Sequence, residues 1–282
     1  MFFQRRREMS ASESGIKISN RDFSMVLSHQ YPAKVIISVP HDGSIRDDFS
    51  GIFRRSSGVT VRDMHVWLIV NDIIQRCLRF GTRVDATRFL MARTYVDVNR
   101  ERLGEPNLCP DTLGQAAFDD PDLETVYGHY HSELVRLLDA SVREYGAENV
   151  LFLDMHGFSK QPLSVHGQVA QNRIDENPIY ASYDLILGTA NRTTINHGEI
   201  DRQFEDFMTR KSYAVFLPKE KPISPEGDPY SAGHITRLYA KKYRINAIQV
   251  EIDARFRRSE QAREAGEKLA WDMAEFLSEH YA

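Results

Sequence analysis

Two histidines of the sequence follow apolar runs closely enough to serve as metal ligands. His41 comes directly after a run that stops at Pro40, and His156 lies two residues beyond Asp154, at the end of an apolar segment. Neutral imidazole is a good zinc ligand. Asp154 can either ligate the same metal or orient His156 from behind. The alternatives are a polar surface turn at His41 and a structural core histidine at His156.

Two carboxylates are further candidates for chemistry. Asp63 stands at the start of a predicted helix, where an acid can bind a metal or simply complement the helix dipole. Judged alone, the dipole is the better explanation. Glu251 lies inside the apolar run 247–252, and buried carboxylates are rare without a partner or a task. One task is that of a general base, and the alternative is a charge on the wet face of an edge strand.

A polar segment between these candidates predicts a place for substrate. Tyr95, Asp97 and Asn99 would share one face of an extended strand over 94–99, because side chains alternate along a strand. Arg100 follows, and its planar donors can grip a carboxylate. Arg93 can point into the same space. The alternative is an edge strand with a solvated polar face.

A histidine pair on a predicted helix has a more limited role. His129 and His131 are two residues apart, so they point about 200° apart and do not chelate one ion. At most one of them faces the site.

The elements that must position these residues alternate between apolar runs and helical patterns. This alternation predicts an α/β fold with helices on both faces of the sheet. Strands are expected at 34–39, 83–91, 94–99, 149–154, 183–187, 212–217 and 247–252. Helices are expected at 60–79, 121–145, 197–210, 231–242 and 260–280, and a long loop at 101–118.

Composition narrows the function classes. The chain has 282 residues, a length that predicts one α/β domain over 16–282 behind a polar N-terminal tail over 1–15. A net charge of -4 gives no indication of a nucleic-acid partner, and no apolar run is long enough for a membrane span. Cys77 and Cys109 are the two cysteines, so a metal would need His, Asp or Glu ligands. We expect a cytoplasmic protein; the oligomeric state is left open.

Taken in order, the motifs resemble one known family. The segments PHDG (40–43), RD (62–63), YVDVNR (95–100), YHSEL (130–134), DMHG (154–157), HIT (234–236) and AIQVEID (247–253) resemble N-formylglutamate amidohydrolases. These look like distant relatives of zinc carboxypeptidases and aspartoacylase. The resemblance spans roughly residues 35–258. Three positions depart from the family's usual pattern: Asp42 and Gly157 replace serines, and Ala232 replaces a glycine before HIT.

The resemblance implies a fold, a cofactor and a set of roles. The fold would be a three-layer α/β/α arrangement with a mixed, mostly parallel sheet, as in zinc carboxypeptidases. One Zn²⁺ per chain would be held by His41, Asp63 and His156. Glu251 would be the general base. The substrate would be held by Asn99, Arg100 and Arg93.

The resemblance also implies a reaction. Metal-activated water would cleave the amide bond of a small N-acyl, N-formyl-like amino acid that carries a carboxylate. His131 and Arg93, both expected at the substrate, are candidates for stabilising the oxyanion, and the sequence does not choose between them. Two alternatives remain: a peptidase or cell-wall amidase acting on a larger substrate, and a carboxylate-binding relative without catalysis.

Overall fold

A computed structural model gives the fold of this chain. The structure describes residues 16–46, 49, 51–102, 105, 108, 115–160, 163–165, 168–170, 178–217, 230–257 and 260–282. The expected tail over 1–15 lies outside the described residues, as does most of the centre of the expected loop over 101–118. The single-domain assignment stays a prediction.

An eight-stranded mixed sheet forms the middle of the described structure. Its order is β1-β2-β4-β3-β5-β10-β8-β9, and β6 and β7 form a separate hairpin. The pairs β4-β3, β3-β5, β5-β10 and β8-β9 are parallel, and the other three are antiparallel. The strands are β1 (Ile16–Arg21), β2 (Ser24–His29), β3 (Val35–Val39), β4 (Val84–Phe89), β5 (Leu151–Phe158), β6 (Leu163–Val165), β7 (Gln168–Ala170), β8 (Leu185–Gly188), β9 (Val215–Phe216) and β10 (Asn246–Asp253).

Helices cover both faces of this sheet. They are α1 (Val66–Arg79), α2 (Glu124–Tyr145), α3 (Ile200–Arg210), α4 (His234–Tyr243) and α5 (Glu260–Tyr281). Residues from α1, α3 and α5 share one apolar core with Leu151, Leu153 and Met155 of β5. Residues from α2 and α4 share a second core with Phe152 of the same strand. Because successive side chains of a strand point to opposite faces, β5 supplies both cores. The predicted three-layer α/β/α fold is therefore confirmed.

The face of β5 that carries Phe152 changes from apolar to polar toward the carboxyl end of the strand. Phe152 is followed on the same face by Asp154 and His156, both fully or almost fully buried. The parallel register places Gln249 beside Asp154 and Glu251 beside His156. The face that begins as an apolar core thus ends as a buried polar cluster at the carboxyl ends of the central parallel strands, where ligands of α/β sheets gather.

The expected strand over 94–99 is wrong. This stretch folds as turns, in which the Tyr95 amide donates to the Ala92 carbonyl and the Asp97 amide to the Ala117 carbonyl. The Asp97 carboxylate accepts from the Asn99 amide two residues on, at 3.0 Å. Such a local side-chain bond offers the backbone an alternative to strand pairing, which is typical of aspartate in turns.

Other elements also differ from the prediction. Residues 16–29 form a hairpin that the pattern did not indicate, because its turn uses left-handed backbone at Asp22 and Phe23 (φ 43° and 63°) instead of the usual glycine. Strand β5 continues through Gly157 to Phe158, where a turn was expected. Helix α1 begins at Val66 and not near residue 60. Among the described helices, none has the length and apolar character needed to cross a membrane.

Candidate active site

Three side chains converge at the carboxyl ends of β3 and β5. The Nδ1 atoms of His41 and His156 lie 3.1 Å apart, and each is 3.4 Å from Oδ2 of Asp63. His41 follows β3, His156 lies in β5, and Asp63 comes from the segment before α1. The cluster is the one group of three such ligands that the described residues bring together. The sequence offered two explanations for Asp63, interaction with the helix dipole and metal binding. The structure places its carboxylate against both histidines.

The acid that caps α1 is Asp42 and not Asp63. The Asp42 carboxylate accepts from the backbone amides of His65 and Trp67, each at 3.0 Å, and forms an ion pair with Arg62. This capping explains why the helix starts at Val66. The Asp63 amide meanwhile donates to the His41 carbonyl at 2.9 Å. The carboxylate of Asp63 is therefore left to point at the histidines.

The three ligand atoms have the spacing that a tetrahedral metal ion requires. Ligands bound at about 2.0–2.1 Å with tetrahedral angles lie about 3.3 Å from one another. The observed separations of 3.1, 3.4 and 3.4 Å match that value. Two imidazole nitrogens and one carboxylate oxygen are also a suitable donor set, since three protein ligands leave a fourth position open. The residues fit a metal ion.

Each histidine is backed by a buried carboxylate. Nε2 of His41 lies 2.7 Å from Oδ1 of Asp97, and Nε2 of His156 lies 3.0 Å from Oδ2 of Asp154. A carboxylate on the far ring nitrogen fixes the orientation of the ring and leaves the near nitrogen for a metal. Sequence reasoning gave this place to Asp154 as one of two options. It did not assign Asp97 to His41, and the spacing offered no signal, since the two are 56 positions apart.

The electrostatics of the cluster follow from burial and charge. Burial favours a neutral His156, but Asp154 and Asp63 outweigh it and raise the pKa of His156 to about 10 in the metal-free protein. Burial alone would raise the pKa of Asp63, yet hydrogen bonds to His156 and His41 hold it well below its usual range. Because a metal ion would bind the same atoms as a proton, metal binding at this group would compete with protonation.

Glu251 lies next to this cluster with few partners of its own. It is the neighbour of His156 in the paired strands and is buried. Its Oε1 accepts from Nε2 of Gln249 at 2.9 Å. Burial raises the pKa of Glu251 to about 7, an increase that the Asp63 carboxylate reinforces and His156 opposes. A carboxylate poised near neutrality suits proton transfer.

A group of arginines surrounds Asp97 on the other side of His41. Nε of Arg93 donates to Oδ2 of Asp97 at 2.8 Å, and Nη1 of Arg55 and of Arg100 lie 3.6 and 3.8 Å from the same oxygen. Three buried guanidinium groups thus share one carboxylate. Guanidinium groups so close together offer several donors that suit a substrate carboxylate. Arg55 was missed because it stands outside the motifs.

Arg100 and Arg93 differ in how many of their guanidinium nitrogens already have an acceptor. Nη1 of Arg100 donates to the Asn99 carbonyl at 2.7 Å, and its Nε to Oε1 of Gln115 at 3.3 Å. In Arg93, by contrast, no described residue accepts from the two terminal nitrogens, and the residue keeps 8% of its surface exposed. Asn99 lies beside the cluster of His41, Asp63 and His156, with its Nδ2 atom 3.4 Å from Nε2 of His156.

His131 is not brought into the cluster of His41, Asp63 and His156. Its Nδ1 lies 2.8 Å from the Tyr239 hydroxyl and its Nε2 lies 3.0 Å from the Val98 carbonyl. Burial and the nearby His234 lower the pKa of His131 to about 3, so the ring is neutral. Both ring nitrogens already have partners. These contacts point to a role in holding the 98–100 turn against α2.

Comparison with known proteins decides the family. The family model for N-formylglutamate amidohydrolase matches residues 33–256, which is most of the chain. The chain belongs to this family. The match includes every residue of the convergent cluster and Glu251. Among curated proteins, none matches the sequence.

Solved structures agree with the family at the level of the fold. The N-formylglutamate amidohydrolase from Ralstonia eutropha aligns with a TM-score of 0.60 at 15% identity, covering 91% of this chain and 98% of that one. A gene product from Agrobacterium tumefaciens aligns with a TM-score of 0.54 at 14% identity, covering 91% and 92%. At such identities the shared property is the fold.

Proposed function

We propose that this member of the N-formylglutamate amidohydrolase family is a zinc-dependent hydrolase of small N-acyl amino acids. The observation that carries the proposal is the convergence of Nδ1 of His41, Nδ1 of His156 and Oδ2 of Asp63, beside the buried Glu251. Two imidazoles and a carboxylate at tetrahedral spacing favour zinc over Mg²⁺ or Ca²⁺, which prefer oxygen ligands.

In this mechanism Glu251 moves the proton. His41, His156 and Asp63 would hold the zinc, which when bound would supply the Lewis acidity that lowers the pKa of water and polarises an amide carbonyl. The Glu251 carboxylate accepts the proton of the attacking water and then gives it to the leaving nitrogen. A pKa raised to about 7 suits both steps, since the group must take and return the proton at the same pH.

The arginines and Asn99 orient the substrate. A substrate carboxylate would be held by Arg100 and Asn99, as the family resemblance implies. Arg93 is suited to stabilise the oxyanion, because its Nε is fixed by Asp97 while its terminal nitrogens have no acceptor among the described residues. Preorganised donors at the developing charge lower the barrier without reorganisation. His131, the other candidate for this role, has both ring nitrogens engaged.

Metal analysis of the purified protein tests this proposal most directly. We expect about one zinc per chain, and His156→Ala should remove most of it. His129→Ala is a matched control, because His129 lies on α2 near Glu133 and outside the cluster. Full zinc occupancy in both His41→Ala and His156→Ala would contradict the ligand assignment.

A screen of N-acyl amino acids would then identify the substrate. We expect turnover of N-formyl and other short N-acyl derivatives that keep a free carboxylate. Activity confined to peptides or cell-wall fragments would support the alternative of a larger substrate. A zinc-loaded protein without any amidase activity would support a carboxylate-binding role.

A further inference from the structure

The HIT segment, His234 to Thr236, is a motif that the mechanism above does not use. It forms the first turn of α4, and all three residues are buried. The helix packs over the same face of the sheet that carries Asp154 and His156. The turn therefore lies directly behind the proposed metal ligand.

Thr236 makes the contact that gives this turn a chemical role. Its hydroxyl donates to Oδ2 of Asp154 at 3.1 Å. The same oxygen lies 3.0 Å from Nε2 of His156. A three-membered chain thus runs from a helix hydroxyl, through a carboxylate, to the imidazole whose opposite nitrogen faces the metal cluster.

Asp154 has little else to hold it. Its side chain is completely buried, and its other oxygen, Oδ1, has no hydrogen-bond partner among the described residues. A buried carboxylate depends on its donors, since it has given up those of water. Losing one of two donors would leave the carboxylate with His156 alone and free it to rotate about its own bond.

The neighbouring residue of the same turn contacts the substrate side of the site. The Ile235 amide donates to Oδ1 of Asn99 at 2.9 Å. Gly233 approaches the Asn99 amide so closely that a Cβ there would overlap it. One turn of one helix therefore fixes both a carboxylate behind the metal ligand and a proposed substrate-binding residue.

We propose that Thr236 is a positioning residue that holds Asp154 against His156 and so sets the orientation of this metal ligand. The inference rests on the proposed function, because it concerns the affinity of the same three-residue metal site. It extends that function to a residue 82 positions away from Asp154 in sequence. Partners that orient a metal-binding histidine typically contribute about 10–100-fold to metal affinity.

The test measures zinc affinity in the whole protein, by competition with a chromophoric chelator at fixed pH. Thr236→Val keeps the shape of the side chain and replaces the hydroxyl with a methyl group. Thr236→Ala removes the hydroxyl without adding a methyl group. Thr236→Ser keeps the hydroxyl and loses only the methyl group. Thr194→Val is the matched control, since Thr194 is another buried threonine whose hydroxyl bonds to the Ala247 carbonyl, away from the metal cluster.

We expect Thr236→Val and Thr236→Ala to weaken zinc binding by about 10–100-fold, with the Ser variant within a few-fold of wild type. Thr194→Val should lower the thermal midpoint and leave zinc affinity unchanged. In the cobalt-substituted protein, the visible absorption bands should change in Thr236→Val and Thr236→Ala and stay unchanged in Thr236→Ser and Thr194→Val. If the Val variant does not fold, the Ala variant decides by the same measurement.

Unchanged zinc affinity in folded Thr236→Val or Thr236→Ala would overturn this inference and leave the proposed function intact. An equal loss of affinity in Thr194→Val would also overturn it, because the effect would then be one of general stability. Failure of the wild-type protein to bind zinc would overturn the proposed function itself, and this inference with it.

Discussion

Asp63 and Glu251 are two buried carboxylates beside the same histidine, yet the protein moves their pKa values in opposite directions. Asp63 touches His41 and His156 and also accepts from the Gly157 amide at 3.2 Å. Those contacts keep it ionised. Glu251 accepts from Gln249, and burial dominates, raising its pKa to about 7. The difference shows how hydrogen bonds to two imidazoles separate the proposed metal ligand from the proposed base, although both are buried carboxylates.

The largest effect on turnover should come from replacing Glu251, the proposed base, while Asp63, the proposed ligand, is kept. Glu251→Gln is nearly isosteric, so zinc should stay bound and the fold should persist. Turnover should fall by about 10²–10⁴-fold, the scale of a lost acid–base group. Substrate affinity should change little, because the water and not the substrate loses its partner. The measurement is a turnover assay on the zinc-loaded variant.

Asp63→Asn is the matched variant for this comparison. It keeps the shape of the side chain and removes a proposed ligand charge, so it should lose zinc. If Glu251→Gln loses zinc as well, or stays within a few-fold of wild-type turnover, the division between ligand and base is wrong.

A smaller effect should come from a site outside this pair. Arg100→Lys keeps the charge and loses the planar two-pronged grip on a carboxylate. Catalytic efficiency toward an acidic substrate should fall by about 10–1000-fold, the consequence of losing charge-assisted hydrogen bonds. Zinc affinity should not change, since Arg100 is not a ligand. Equal turnover of a carboxylate-blocked analogue by the wild-type protein would count against the anchor.

The smallest effect concerns pH and sharpens the contrast between protonated and ionised ligands. In the metal-free protein the pKa of His156 is raised to about 10, so at neutral pH a proton must leave before zinc binds. Zinc affinity should therefore rise with pH between pH 6 and 8, by about tenfold per pH unit for the release of the His156 proton. Asp63 is already ionised there and adds no slope. Zinc titrations at three pH values would measure this rise. A zinc affinity that does not change with pH would contradict the prediction.

The sequence predicted the parts of this site that depend on strand ends. His41, Asp154 and His156 were predicted from apolar runs that stop at polar residues, and Glu251 from a carboxylate inside such a run; parallel strands bring their carboxyl ends together. The roles of Asp97 and Thr236 did not follow. Asp97 lies in a turn, 56 positions from His41, and Thr236 lies in a helix, 82 positions from Asp154. Tertiary packing determines where that turn and that helix lie.

His131 illustrates a second limit. Helical geometry indicated that His129 and His131 face different directions, which is what the structure shows, but not which direction leads to the site. The rotation of α2 about its axis is set by Tyr130, Leu134 and Leu138, which are buried in the core. That packing turns His131 toward Tyr239.

The contact between Gly157 and Arg257 limits which residues relatives can have at these two positions. The Arg257 guanidinium donates to the carbonyls of Ile252, Met64 and Phe158, and so joins β10, β5 and the segment that carries Asp63. A Cβ at Gly157 would overlap that guanidinium. A serine here, which the family resemblance implies for other members, is incompatible with an arginine placed in this way. In an alignment of relatives, positions 157 and 257 should therefore covary, with glycine accompanying arginine and serine accompanying a smaller side chain.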